Sequence, residues 1–194
     1  PYTTLFRSTE SFPTAVRKSW SSSAYNVSTG VFTGSFFPTV GKLYIFITTG
    51  SDTSTYINGP ASWTLISQSQ NTTFHAWVAT TSNVSYTISR TGPGAISTPI
   101  IYEVSNYKSF TPTYANANVY YDVTSVSVPM ILPDKNSLIL GGLWLVATRT
   151  VTATSSAGAP APIFGTSSSV GGGELKSYHV QKVDAGNYTM TASW

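Results

Sequence analysis

The chain has 194 residues, 9% of them charged, a net charge of +3 and no cysteine. This length suits one domain with a sizeable core, and the lack of cysteine excludes disulfide frameworks, thiolate metal sites and thiol nucleophiles. The basic residues are scattered, with only Arg17 and Lys18 adjacent, so the clustered footprint of a nucleic-acid binder is missing; no apolar run reaches the roughly 18 residues that mark a membrane span.

The polar surface is supplied by 29 Ser and 29 Thr rather than by charge. Such a neutral coat is associated with extracellular or virion proteins, and that is the location expected here. The pI of about 9.1 reflects how few charges there are.

Residues 1–8, PYTTLFRS, are the in-frame translation of CCC TAC ACG ACG CTC TTC CGA TCT, the tail of a sequencing adapter. They are expected to be a scar and are set aside; without Arg7 the net charge becomes +2. Residues 9–38 hold short β-prone pieces, ESFPTAV and GVFTGSF, broken by Pro13, Gly30, Gly34 and Pro38. Residues 39–194 are expected to form the main domain.

There the pattern is β throughout. KLYIFIT alternates Leu43, Ile45 and Ile47 against Tyr44, Phe46 and Thr48. TFHAWVA sets Phe74, Ala76 and Val78 opposite His75 and Trp77, and VSYTIS and PIIYEVS alternate likewise. ANVYYDVTSVSVP reads as one long strand or two, and Val151 to Gly173 as a loop with a short strand inside. NYTMTASW places Tyr188, Met190, Ala192 and Trp194 on one face. Period 2 predicts half-buried strands, and many short strands between Gly, Pro, Asn and Ser turns predict a sandwich or barrel.

A weak internal repeat sharpens this. Val78, Tyr86 and Ile88 align with Val180, Tyr188 and Met190 at a constant offset of 102, and Leu43 aligns with Leu138 at an offset of 95. Seven extra residues between Val151 and Gly173 reconcile the two. The expected fold is therefore all-β: an antiparallel, jelly-roll-like β-sandwich built from two Greek-key-like halves.

The succession VGKLYIFITTG, SWTLISQSQ, FHAWVAT, VSYTIS, PIIYEVSNY, NSLILGGLWLV, YHVQKV and YTMTASW resembles a jelly-roll module of bacterial and archaeal surface proteins and phage virion proteins. The usual form of that module runs GDLLVVFV, WTLV, avWY, iEfsG, LvvG and tvTasw. The resemblance covers about residues 40–194. Lys42 stands where an acid is common, and Asn106-Tyr107 replaces the usual Gly. The resemblance implies a fold and an extracellular habit; it carries no site.

No catalytic, cofactor or metal constellation emerges, and the chain reads as non-enzymatic. His75 and His179 lack the further ligands a metal needs and read as structural. Glu103 is the exceptional acid, since it lies inside an apolar strand. A glycosidase would need a second carboxylate across a groove; Asp122 and Glu174 are available, yet no spacing selects either. An isopeptide crosslink would draw on Lys42, Glu103 and Asn106 or Asn187. No G-x-S-x-G elbow is present, and the GGG at 171–173 lacks the G-K-[ST] of a phosphate loop.

Three kinds of site remain. TESFPTAVRKSW is a candidate donor strand, with Ser11, Phe12, Thr14 and Val16 as its core, able to complete a neighbour's sheet. Trp20, Trp77, Tyr120 and Tyr121 are candidate sugar-stacking positions. Among four N-x-[ST] sequons, at Asn26, Asn71, Asn83 and Asn187, Asn71 and Asn83 are the candidate glycosylation sites. The expected partners are copies of the chain or other surface or virion subunits, and glycans. The function expected is a structural subunit of an extracellular assembly, either a pilus-like filament formed by donor-strand complementation or a virion fibre or decoration. A carbohydrate-binding or adhesion module is the alternative.

Overall fold

The computed structural model describes residues 13–18, 21–22, 26, 28–49, 56–59, 61–68, 72–91, 99–107, 123–133, 135–145, 149–158, 166–168 and 174–194. All regular structure in them is antiparallel β, and the chain is a β-sandwich built from two halves.

The first half begins with β1 (Thr14–Arg17) and β2 (Ser21–Ser22), then β3 (Val31–Phe36) and β4 (Leu43–Thr49). It continues through β5 (Tyr56–Asn58), β6 (Thr64–Gln68), β7 (Thr72–Val78), β8 (Val84–Thr91) and β9 (Ile100–Ser105). One sheet runs β1-β9-β4-β7-β6; the sheet facing it runs β2-β3-β8-β5. The second half holds β10 (Ser125–Leu132), β11 (Ser137–Leu145), β12 (Thr152–Ser155), β13 (Thr166–Ser168), β14 (Glu174–Val183) and β15 (Gly186–Ser193). Its sheets run β11-β14-β13 and β10-β15-β12.

The halves match strand for strand. β3 pairs with β8, and β10 with β15; β4 pairs with β7, and β11 with β14. β5 joins β8 as β12 joins β15, and β6 joins β7 as β13 joins β14. Tyr86 and Ile88 on β8 correspond to Tyr188 and Met190 on β15. The first half alone adds β9 and β1 alongside β4.

Each half closes its own pair of sheets, and the two pairs stack, giving four layers and three cores. The first core is aromatic: Phe32, Phe36, Tyr44, Phe46, Trp63, Trp77 and Tyr86 fill the space between the first half's sheets. The second lies between the halves, where Leu43, Ile45, Ile47, Ile100, Tyr102 and Val104 meet Leu175, Leu138 and Leu140. The third joins Ile139, Val180 and Val183 to Met190 and Met130.

This stacking corrects the half-buried reading of the central strands. β4 is buried at all seven positions. Its alternation of aliphatic with aromatic side chains sorts residues between two cores instead of between core and water. Gly142 permits the close approach of the halves, because a Cβ there would lie 2.8 Å from Ile47 Cγ2. Gly34 does the same within the first core, where Tyr86 lies over it as its cross-strand partner.

Candidate functional site

The N-terminal strand β1 forms one edge of the first half's larger sheet. Its register on β9 places Thr14 against Ser105, Ala15 against Val104 and Val16 against Glu103. The amide of Lys18 extends the ladder, donating to the Ile101 carbonyl at 2.9 Å. Ala15 is buried in the core between the halves, whereas Val16 points to the opposite face and is 60% exposed. Among the described residues, no strand pairs with β1 on its other side. The candidate donor residues Thr14 and Val16 therefore lie on the chain's own sheet; Ser11 and Phe12 fall outside the described residues, as do positions 1–8.

Glu103 fastens this edge. Lys18 Nζ stands 3.2 Å from Glu103 Oε2, and Tyr44 donates its hydroxyl proton to the same oxygen at 2.6 Å. Tyr44 in turn accepts a hydrogen bond from the Thr39 amide at 2.7 Å. Partial burial alone would raise the carboxyl's pKa. The bonds from Tyr44 and Lys18 and the charges of Lys18 and Lys42 outweigh it, holding Glu103 below the usual carboxylate range. Burial, and then the bond to Glu103, push the Tyr44 hydroxyl up. The acid inside an apolar strand is thus an anchor for the segment that precedes the duplicated halves. Sequence reasoning singled out Glu103 but missed Lys18 and Tyr44; its one signal was a charge at a core-strand position.

Among the described residues, no second carboxylate or amide faces Glu103. Asp122 lies outside the described residues, and no side-chain placement is described for Glu174. Asn187 sits exposed on the outermost sheet of the second half, far from β9 in layer order. Asn106 occupies an exposed turn with φ of 60°. Lys42 contributes charge near Glu103, while Lys18 holds the contact.

A second feature is an open groove of about 310 Å³ at the end of the first half. Ser62, Thr80, Thr81, Asn83 and Ser85 line it, with Trp63 and Trp77 at its floor. Trp77 is only 8% exposed, and packs against Phe36 and Tyr44 at centroid separations of 6.2 and 6.1 Å. It corrects the sequence reading: a ring enclosed in the core offers no free face for a sugar, and only its rim reaches the groove. Trp63, which sequence reasoning did not single out, stacks on Phe46. Trp20, Tyr120 and Tyr121 fall outside the described residues.

Asn83 is exposed in the turn before β8, as expected of an acceptor. Asn71 lies outside the described residues. The Oδ1 of Asn26 accepts from the amides of Ser28 and Thr29, so its side chain organises a turn.

Both histidines are buried. Among the described residues, His75 Nδ1 has no partner, nor do the hydroxyls of Thr48 and Thr73 on the same face. Burial lowers the His75 pKa from 6.5 to about 4 and lowers that of His179 as well. Among the described residues, no three His, Asp or Glu side chains gather as a metal site would require, and no helix is long and apolar enough to cross a membrane.

Comparison with known proteins adds no relative: no family model matches the chain, and no curated protein or solved structure matches it.

Proposed function

We propose that the chain is a non-enzymatic structural subunit of an extracellular assembly, joined to its neighbours by β-strand complementation. The observation that carries this reading is β1. It is a four-residue strand paired with β9, preceding the duplicated strands of the two halves and held by a single anchored ladder. Backbone pairing at such an edge gives affinity, and alternate side chains give register. Where a donor strand and its acceptor edge lie on different surfaces of one subunit, such a contact repeats head to tail as an open filament. A pilus-like surface filament and a virion fibre or decoration both use this physics. The uncharged Ser/Thr coat and the resemblance to the jelly-roll module of surface and virion proteins favour an extracellular setting.

The test is imaging and sedimentation of the purified chain beside a version lacking residues 1–18. Polymers from the first and monomers from the second are the expected result. A full chain that stays monomeric at every concentration and salt condition would overturn the proposal.

The groove favours a second reading, as a carbohydrate-binding or adhesion module. Its hydroxyl and amide lining is neutral and suits a sugar's own hydroxyls. Titration with neutral oligosaccharides should then shift the tryptophan fluorescence of the native chain, and the shift should be lost in a Trp63→Phe variant; an unchanged spectrum across a panel of glycans would exclude it.

A further inference from the structure

The aromatic core of the first half encloses a small polar cluster. Thr48 and Thr73 stand directly opposite each other on β4 and β7, and Phe46 and His75 form the next pair along the same face. Phe46 packs in the aromatic core, so this face is the inner one. Thr48, Thr73 and His75 are 0%, 1% and 4% exposed. Among the described residues, neither threonine hydroxyl has a hydrogen-bond partner, and nor has His75 Nδ1. The imidazole turns its Cδ2–Nε2 edge toward Gly59, where a Cβ would lie 3.0 Å from both atoms. Nδ1, on the other side of the ring, therefore faces away from Gly59. The Tyr86 hydroxyl is also unpartnered, but it lies over Gly34 on the facing sheet.

Hydroxyls at opposed strand positions, with β-carbons about 4.5–5.5 Å apart, commonly bond each other. Ser127 and Thr191, opposed on β10 and β15, do so at 2.8 Å. Thr48 and Thr73 do not. Nearly all buried polar side chains in native proteins find a partner, from the protein or from ordered water.

We propose that Thr48 Oγ1, Thr73 Oγ1 and His75 Nδ1 form an internal binding site for one water molecule. The chemistry selects a neutral guest. Both hydroxyls are uncharged, and burial lowers the His75 pKa to about 4, so the imidazole is neutral at ordinary pH. Hydroxyls and a neutral imidazole offer both donors and acceptors, and water supplies both. Bonds of about 2.8 Å let one water bridge atoms about 5–6 Å apart, which spans an opposed threonine pair. A buried water typically makes about three hydrogen bonds, one for each group of the cluster. The bridge ties β4 to β7 inside the core and is independent of how the chain assembles.

A high-resolution crystal structure of the full chain is the first test. The expected result is one ordered water within about 2.7–3.2 Å of all three atoms. A direct bond between the two threonines, or a side chain of the protein bonded to His75 Nδ1, overturns the site. Oxygen-17 relaxation dispersion tests it in solution by counting long-lived internal waters. Thr73→Val keeps the shape and removes a hydroxyl, and should lower the count by one; Thr73→Ser keeps the hydroxyl and should leave the count unchanged. An equal count in native and Thr73→Val protein overturns the proposal. Should Thr73→Val fail to fold, the native crystal structure decides by itself.

Discussion

At the residue scale, the informative side chains are polar groups inside apolar surroundings. His75 faces the aromatic core, 6.1 Å from Trp63 between ring centroids, with no partner for Nδ1. It is held neutral because a charge there would be desolvated without compensation. Its folded pKa of about 4 lies below the ordinary 6.5, so between those values the unfolded chain binds the extra proton. Stability is therefore full above pH 6.5 and falls as the pH drops toward 4, by roughly 3 kcal/mol from this group. His75→Phe should flatten the difference between urea midpoints measured at pH 7 and pH 4.5. Glu103 titrates in the same sense but lower, since its folded pKa is depressed. Glu103→Gln should cost about 1–2 kcal/mol at pH 7 through its charge-assisted bonds, with no such cost at a pH below the native carboxyl's pKa. Paired thermal melts at the two pH values read this.

At the scale of elements, β1 offers the clearest test. Lys18 N donates to the Ile101 carbonyl, so by antiparallel alternation Val16 and Glu103 form the next hydrogen-bonded pair, while the Arg17 amide points outward. Val16→Pro removes a ladder donor; Arg17→Pro does not. Hydrogen exchange at the amides of Ile101 and Glu103 should rise roughly tenfold in Val16→Pro, as expected for the loss of one bond of about 1 kcal/mol. The amides of Tyr102 and Val104, which face β4, should keep their protection, and Arg17→Pro should resemble the native protein. Equal exchange in both variants would show that β1 is not held by this register.

At the scale of the molecule, the two halves share a core and should unfold as one unit. Leu175 of the second half is wholly buried with the aliphatic residues of the first half's sheet, and Tyr102 and Ser177 share a hydrogen bond across the same boundary. Leu175→Ala should cost about 2–5 kcal/mol, and Gly142→Val about 1–3 kcal/mol by forcing Ile47 away. In both variants, unfolding followed by tryptophan fluorescence, with Trp63 and Trp77 in the first half and Trp144 and Trp194 in the second, should give one transition that coincides with far-ultraviolet dichroism. Separate transitions would mean that the halves are independent units.

Much of the fold is legible in the chain because period-2 alternation is a local property. KLYIFIT, TFHAWVA, VSYTIS, PIIYEVS and NYTMTASW lie at β4, β7, β8, β9 and β15, and the offset between Tyr86 and Tyr188 marks the duplication. Alternation says that two faces differ, not what covers each. That is why Tyr44 and Leu43 could be assigned to opposite faces of β4 while the second core between the halves stayed invisible. The same limit applied to the candidate sites. Glu103 drew notice as a charge among apolar neighbours, but Lys18 lies far from it in sequence, and only the β1–β9 register brings the two together. The aromatic character of Trp77 was plain, yet its enclosure depends on Phe36 and Tyr44 from other strands. Local sequence determined the strands and their faces; the stacking of four sheets decided which faces meet and which side chains close over.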